Sequence, residues 1–411
     1  MATTKMSVAQ VDVMYYSHSG DISGAEISLL LTMQGLTRTR AILVAPNGEL
    51  TDRAEKMGIR TIIQNSYRAR MTRNPIKLLI GLLGTCAAGL RLRKLVGELH
   101  PQIVHANSIR AGLIAILATI GRETKLVWHV RDQLPLNVVG RWVRRVAAYT
   151  TDCLFFISND IQKNFLSDMN RRVRSQVVYN GIELDAAPRR PSIRGDLGVS
   201  SDTFVVGVVG QIAPWKRQRD AITAFAQLRK SHPKCELWIV GSPKFRPENV
   251  VYEADLLDYA ASLGVENEVR FFGFQEDVLS FMDEMDVLLV TSKNEPFGRV
   301  VIEAMLMSKP VIGTRGGGIP EIIADGVTGF LVQTGDTEMM ANLLDWLQRN
   351  VSLRTNLGRA GYERVVSHFS IQRTCAELEL AYADLQDPGS RAITHAAATL
   401  QEEAERYRAI R

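Results

Sequence analysis

Four cysteines in 411 residues, Cys86, Cys153, Cys235 and Cys375, are too few and too scattered for a disulfide framework or metal-ligand spacing. They read as reduced, packed thiols of a cytosolic chain. The sequence also lacks a Gly-x-Gly-x-x-Gly turn, and Gly207-Val208-Val209-Gly210, at a strand end, has the wrong glycine spacing. A nicotinamide or flavin enzyme would therefore lack its central device. Long hydrophobic runs are missing as well: the longest, Leu78 to Leu90, covers 13 residues and contains three glycines, too short to cross a bilayer as a helix. It reads as a core or interfacial helix. Met1 to Gln10 shows no basic stretch followed by an apolar one, so no secretory signal is expected.

Negative charge is absent from one long stretch. Between Glu55 and Glu98 there is no carboxylate, while nine cations occur: Lys56, Arg60, Arg68, Arg70, Arg73, Lys77, Arg91, Arg93 and Lys94. The asymmetry extends to whole halves. Residues 1–190 carry 26 Lys and Arg against 14 Asp and Glu, and residues 191–411 carry 23 against 30. Such a split suggests that the first half meets an anionic partner. Nucleic acid is the weaker choice, since no binding module or basic-aromatic interleaving accompanies the charge.

With 46% hydrophobic residues the chain can build two to three ordinary domains. Short apolar runs alternate with helical patterns, the habit of parallel βαβ sheets. The first series of strands is predicted at Val11–Tyr15, Ala41–Val44, Ile103–His105, Leu126–His129, Leu154–Ile157 and Gln176–Tyr179. Ala186-Ala187-Pro188-Arg189-Arg190-Pro191 then reads as a linker. A second series follows at Phe204–Val209, Leu237–Val240, Val269–Phe272, Val287–Val290, Pro310–Gly313 and Phe330–Val332. The fold expected is α/β, with two Rossmann-like doubly wound domains facing a cleft.

The most informative stretch is Glu295-Pro296-Phe297-Gly298-Arg299-Val300-Val301-Ile302-Glu303. Asp286 to Val290 before it reads as a buried strand and Val300 to Met307 as a helix. Glu295 therefore falls in a strand-to-helix loop and Glu303 on the first turns of the helix. Helix-start amides that attract phosphate are thus flanked by two carboxylates able to accept from hydroxyls.

This pair, eight residues apart and followed by Ala304-Met305 and the loop Gly313-Thr314-Arg315-Gly316-Gly317-Gly318, resembles the signature of the retaining family-4 glycosyltransferases. The resemblance runs nearly the whole chain to about Gln386. It implies the GT-B arrangement: an acceptor-side domain over residues 1–187, a nucleotide-sugar donor domain over 188–370, and a segment 371–411 whose helix, Ile371 to Gln386, returns to the first domain. The tail beyond it receives no function.

The resemblance also implies roles. Glu303 would accept from ribose hydroxyls, and Glu295 would bind the sugar beside the amides of Phe297 and Gly298. Gly210-Gln211-Ile212-Ala213-Pro214-Trp215-Lys216-Arg217 is similar to the family loop Gly-Arg-x-x-Pro-x-Lys-Gly that grips the diphosphate. Lys216 matches its lysine, but Gln211 stands for the arginine and Arg217 for the glycine. Gln211 can donate to phosphate, and the second charge is left between Arg217 and Arg299. No Asp-x-Asp, the usual metal-binding alternative for a diphosphate, occurs anywhere, so no metal and no cofactor are expected and cations with helix termini would carry the charge.

In the first half, Ser23-Gly24-Ala25-Glu26 resembles the family's Gly-Gly-Ala-Glu loop, with Gly24 the residue expected to approach the donor and Glu26 read as a carboxylate favoured at a helix start. His129 matches the family's active-site histidine beside the transferred sugar, whereas His105 reads as a hydrogen-bonded core residue. Arg131 and Asp132 could bind acceptor or pair with each other. Phe271-Phe272-Gly273-Phe274-Gln275 resembles the base-receiving loop, with contact assigned to the backbone of Gly273 and Phe274.

The function so implied is retaining, metal-independent transfer of a sugar from a nucleotide-diphosphate donor to a glycan or lipid-linked acceptor in cell-surface glycan, polysaccharide or glycolipid synthesis. The setting expected is cytoplasmic, peripheral on the inner membrane face, with residues 56–97 against anionic lipid and no nucleic acid. The rival readings are a sugar-nucleotide 2-epimerase of the same fold and a non-catalytic sugar-nucleotide-binding protein.

Overall fold

The computed structural model describes residues 10–67, 75–169, 173–186, 192–244 and 246–387. Residues 187–191 of the expected linker, the tail 388–411, Arg68, Arg70, Arg73 and the side chain of Lys77 lie outside the described residues. The chain divides into two compact units. One comprises residues up to Glu183 together with the helix Ile371–Gln386, and the other runs from Leu184 to Ser370.

The first unit holds a seven-stranded parallel sheet: β1 (Val11–Tyr16), β2 (Thr39–Ala45), β3 (Thr61–Ile63), β4 (Ile103–Ala106), β5 (Lys125–Val130), β6 (Cys153–Phe156) and β7 (Ser175–Val177). Their order is β3-β2-β1-β4-β5-β6-β7. β6 is buried at every residue, which is why it is a short unbroken apolar run with no polar face, and β4 is equally buried although it carries His105. β3 escapes sequence reading because it is three residues at the sheet edge, none of them buried.

The second unit repeats the plan with β8 (Phe204–Val209), β9 (Cys235–Val240), β10 (Val269–Phe271), β11 (Val287–Val290), β12 (Val311–Thr314) and β13 (Gly329–Val332), in the order β10-β9-β8-β11-β12-β13. Its core joins Val206, Val208, Leu237, Ile239, Leu289 and Ile312 to Ile222, Phe225 and Leu344 from the covering helices. Each sheet reverses its winding direction once, between β1 and β4 and between β8 and β11, and crevices for ligands open at the carboxyl ends of strands at such points.

The helix Ile371–Gln386 buries Cys375, Leu378, Tyr382 and Leu385 in the first unit. It crosses the helix Gly24–Gly35 closely, since a Cβ added at Gly35 would lie 2.8 Å from Cys375 Sγ. The chain leaves and re-enters this unit side by side, with Ile371 N–H donating to Ile182 O at 2.9 Å.

Candidate functional site

At the reversal point of the second unit, the loops after β8 and β11 meet. Pro214–Lys216 forms one 3₁₀ turn, tied to the β11 loop by Lys293 N–H donating to Trp215 O at 2.9 Å and by Thr291 Oγ1 donating to Lys216 O at 2.7 Å. These bonds put Lys216 Nζ 2.6 Å from Glu295 Oε2, with both side chains largely covered, and 4.5 Å from the centre of the Trp215 ring. Two residues 79 apart in sequence thus form one charged pair where the crevice opens.

Glu295 is held from behind by the glycine-rich loop. Gly318 N–H donates to Glu295 O at 2.8 Å, and Gly317 adopts φ +64° with so little room that a Cβ would lie 2.0 Å from that same oxygen. The run of glycines therefore permits backbone-on-backbone packing against the Glu295 segment. Phe297 is 2% exposed and packs edge-on against Phe369 at 6.0 Å, so what it can offer a ligand is its backbone. Gly298, at φ +111°, begins the helix Arg299–Leu306, whose Val301, Ile302, Met305 and Leu306 are buried. On its other face Arg299 Nη2 lies 2.9 Å from Glu303 Oε1.

The three residues left unranked for the second phosphate contact differ sharply in geometry. Gln211 donates its amide to Lys244 O at 2.7 Å, and its own carbonyl accepts from Gln218 Nε2 at 2.9 Å. Arg217 stands in the left-handed region at φ +56°, the conformation that suits the glycine of the similar motif, and pairs with Asp220 at 2.6 Å and 3.1 Å. Arg299 sits at the start of its helix beside Glu303. Both carboxylates of the motif thus carry a cation: Lys216 on Glu295 and Arg299 on Glu303.

The base-receiving loop follows β10. Phe272 packs on Trp238 and Phe281 with ring centres 5.5 Å and 5.0 Å apart, whereas Phe274 is exposed, with Lys244 Nζ 3.7 Å above its ring. Gly273, at φ +64°, accepts from Gly241 N–H at 2.8 Å.

In the first unit Gly24 is the first residue of its helix and Ser23 the cap. Ser23 Oγ donates to Glu26 Oε2 at 2.5 Å and its N–H to the same oxygen at 3.1 Å. This capping box gives a local reason for serine where the similar motif has glycine. His129, on β5, is 3% exposed. Its Nδ1 lies 3.2 Å from His105 Nε2 and 3.4 Å from Arg131 Nη2, and its Nε2 is buried with no partner among the described residues. His105 is fully buried against Tyr15 and Phe155. Burial and the Arg131 charge hold both imidazoles well below the ordinary histidine range, so both are neutral. Arg131 also donates to Asn107 Oδ1 and Asn180 Oδ1, each at 2.8 Å. Among the described residues no three His, Cys, Asp or Glu side chains converge as a metal-holding group.

Two doubly wound parallel domains, the second with a cation–carboxylate array at its reversal point, define a GT-B glycosyltransferase architecture. The chain belongs to glycosyltransferase family 4: the family model "Glycosyltransferase Family 4" matches residues 22–186 and "Glycosyl transferases group 1" matches residues 189–364. The crystal structure of Anabaena Alr3699/HepE in complex with UDP superposes with a TM-score of 0.79 at 25% identity, covering 91% of this chain and 100% of that one.

Among sequence relatives, N-acetyl-alpha-D-glucosaminyl L-malate synthase of Bacillus anthracis is 31% identical over 51% of this chain and 54% of its own length. The lipopolysaccharide core biosynthesis glycosyltransferase LpsE of Rhizobium meliloti (strain 1021) is 28% identical over 62% of this chain and 71% of its own length. The capsular polysaccharide biosynthesis glycosyltransferase CapM of Staphylococcus aureus is 26% identical over 75% and 83%. The match thus spans about half of the first relative and more of the other two.

Proposed function

We propose that this chain is a retaining glycosyltransferase that moves a sugar from a nucleoside diphosphate to an acceptor hydroxyl during cell-surface glycan assembly. The observation that carries the reading is the pairing of Lys216 with Glu295 and of Arg299 with Glu303 where β8 and β11 diverge. A donor brings a diphosphate for the cations and hydroxyls for the carboxylates, so each pair opens onto a matching part of one ligand. Glu303 takes the ribose hydroxyls, Glu295 the sugar hydroxyls, and Lys216 with Arg299 the diphosphate. As the bond from the anomeric carbon to phosphate breaks, negative charge grows on the leaving oxygen, where preorganised cations act most strongly. The acceptor oxygen bonds to the anomeric carbon on the face the phosphate leaves, and a phosphate oxygen takes its proton. No protein nucleophile and no metal is needed for these steps.

The relatives in lipopolysaccharide core and capsular polysaccharide biosynthesis, and the UDP-glucose complex of HepE, make uridine the first base to try. A lipid-linked acceptor at the cytoplasmic membrane face fits the first unit. On the helix Pro75–Leu99, Leu79, Ile80, Leu82 and Leu83 are each more than half exposed, on a helix that also carries Arg91, Arg93 and Lys94. No helix among the described residues is long and apolar enough to cross a membrane, so this one would lie on the lipid surface. The test of the activity is donor hydrolysis and thermal shift across uridine, guanosine and adenosine diphosphate sugars, followed by assignment of the anomer formed. Transfer with retention is expected, and no stabilisation or turnover with any of them overturns the reading.

A further inference from the structure

Behind His129 runs a buried chain of polar groups drawn from elements far apart in sequence. Tyr15 Oη on β1 lies 2.7 Å from Tyr382 Oη on the last helix, Tyr382 Oη lies 2.6 Å from His105 Nδ1 on β4, and His105 Nε2 lies 3.2 Å from His129 Nδ1 on β5. Tyr15, His105 and Tyr382 are at most 1% exposed, so no solvent can substitute for a missing bond. Distances alone leave two directions for the protons, because hydroxyls and neutral imidazoles both donate and accept.

Arg131 removes the ambiguity. A guanidinium can only donate, and Arg131 Nη2 faces His129 Nδ1 at 3.4 Å, so that nitrogen is an acceptor. Neutral His129 then carries its proton on Nε2. His105 Nε2 must donate to His129 Nδ1, His105 Nδ1 must accept from Tyr382, and Tyr382 must accept from Tyr15. In the opposite direction, His129 Nδ1–H would face an arginine N–H, two donors opposed in a dry core. Every hydrogen in the chain therefore points toward His129, and the chain ends on a buried Nε2–H with no acceptor among the described residues. A buried donor without a partner is costly, and a ligand oxygen would recover that loss.

We propose that Tyr382, acting through His105, is a positioning residue that supports Arg131 in holding His129 in the Nε2–H form, so that the strand end presents a neutral hydrogen-bond donor to a hydroxyl oxygen of a sugar. This rests on the reading of His129 as a sugar contact. It assigns the terminal helix a part in the site, and it explains why two histidines with suppressed basicity stand in series: a charged ring at either position would break the chain of single protons.

The experiment is long-range nitrogen–proton NMR of the full chain labelled with ¹⁵N-histidine, which reads each ring's tautomer without any ligand. In the wild type both His105 and His129 should be Nε2–H and neutral. Tyr382→Phe removes the hydroxyl that donates to His105 Nδ1, should shift the ring-nitrogen signals of His105 and, through it, of His129, and should lower kcat of UDP-glucose hydrolysis about five- to tenfold while KM changes little. Tyr15→Phe, one link further out, should act in the same sense but less, and serves if Tyr382→Phe does not fold. A wild-type His129 carrying its proton on Nδ1, or histidine signals unmoved in both variants, overturns the proposal. His129→Ala tests the underlying reading separately: unchanged kcat there removes the sugar contact even if the tautomers are as stated.

Discussion

Replacing Arg299 by Gln separates the three residues that could complete the diphosphate site. Arg217 is committed to Asp220 by two hydrogen bonds and Gln211 to the Lys244 carbonyl, and Arg299 is the residue proposed for the second phosphate oxygen. To do so it must leave Glu303, an i,i+4 pair at 2.9 Å whose side chains are each 13% exposed. An exposed helix pair is worth about 0.3–0.5 kcal/mol, and cover raises this one to about 1 kcal/mol. A preorganised donor at developing charge contributes about 2.7–4 kcal/mol. The difference, about 2–3 kcal/mol, corresponds to roughly a 30- to 160-fold loss in kcat for Arg299→Gln. The sign of a second measurement is more telling. The variant frees Glu303 for the ribose, so calorimetry should find uridine bound up to about fivefold more tightly while UDP binds more weakly. Arg217→Gln should stay within about threefold of wild type in kcat, the scale of a single exposed charge. A kcat for Arg299→Gln within about twofold of wild type, with a tenfold or greater loss for Arg217→Gln, would refute the reasoning.

Glu303→Gln should weaken UDP binding by about 1.5–3 kcal/mol with the fold intact, and unaltered affinity removes this residue from the ribose site. Turnover should survive a chelator but fall about a hundredfold or more in Lys216→Ala, whereas activity abolished by chelator and restored by a divalent ion refutes the cation assignment. His105 and His129 have folded-state pKa values held far below their ordinary value, so the unfolded chain binds protons that the native one refuses. Stability is full above about pH 6.5 and falls below it by up to about 1.4 kcal/mol per pH unit for each histidine. Thermal melts of wild type and His105→Asn should diverge above that pH and converge as it drops, and parallel curves refute it. The protein should sediment with anionic but not neutral liposomes and be released by salt, and changing Arg68, Arg70, Arg73 and Lys77 to Gln should abolish this; equal, negligible sedimentation with both refutes the membrane surface.

What could be read from the sequence was what is local. Unbroken apolar runs announced β8 and β11 to the residue, because strands covered on both faces have no polar alternation to confuse them. Glu295 and Glu303 were legible since eight residues suffice to place one on a loop and the other on the following helix. The i,i+4 spacing of Arg299 and Glu303 was equally local, whereas the commitments of Gln211 to the Lys244 carbonyl and of Arg217 to Asp220 became visible only in the folded chain. Tyr382 carried no signal at all. It sits at helical spacing with Leu378 and Leu385, reads as one more core residue, and joins His105 across 277 positions. Lys216 and Glu295 were each found from their own motif, but that they pair required the tie between Trp215 and Lys293.

The return of the last helix to the first unit sets an order of assembly on the ribosome. Residues up to Glu183 emerge first, but the side chains that close their core, among them Leu378 and Tyr382, arrive only after Leu184 to Ser370 has been made. At about 5–20 residues per second this interval lasts roughly 10–40 s. Throughout it, the surface that Ile371–Gln386 will cover, including Thr32, Gly35 and the Tyr15 hydroxyl, stands open to water and to other nascent chains. The second unit, contiguous in sequence, has no such wait and can be complete while the first is still unfinished. A nonsense mutation before Ile371 would thus cripple the half of the protein already synthesised, and expression of residues 1–183 alone would yield a domain with an uncovered core.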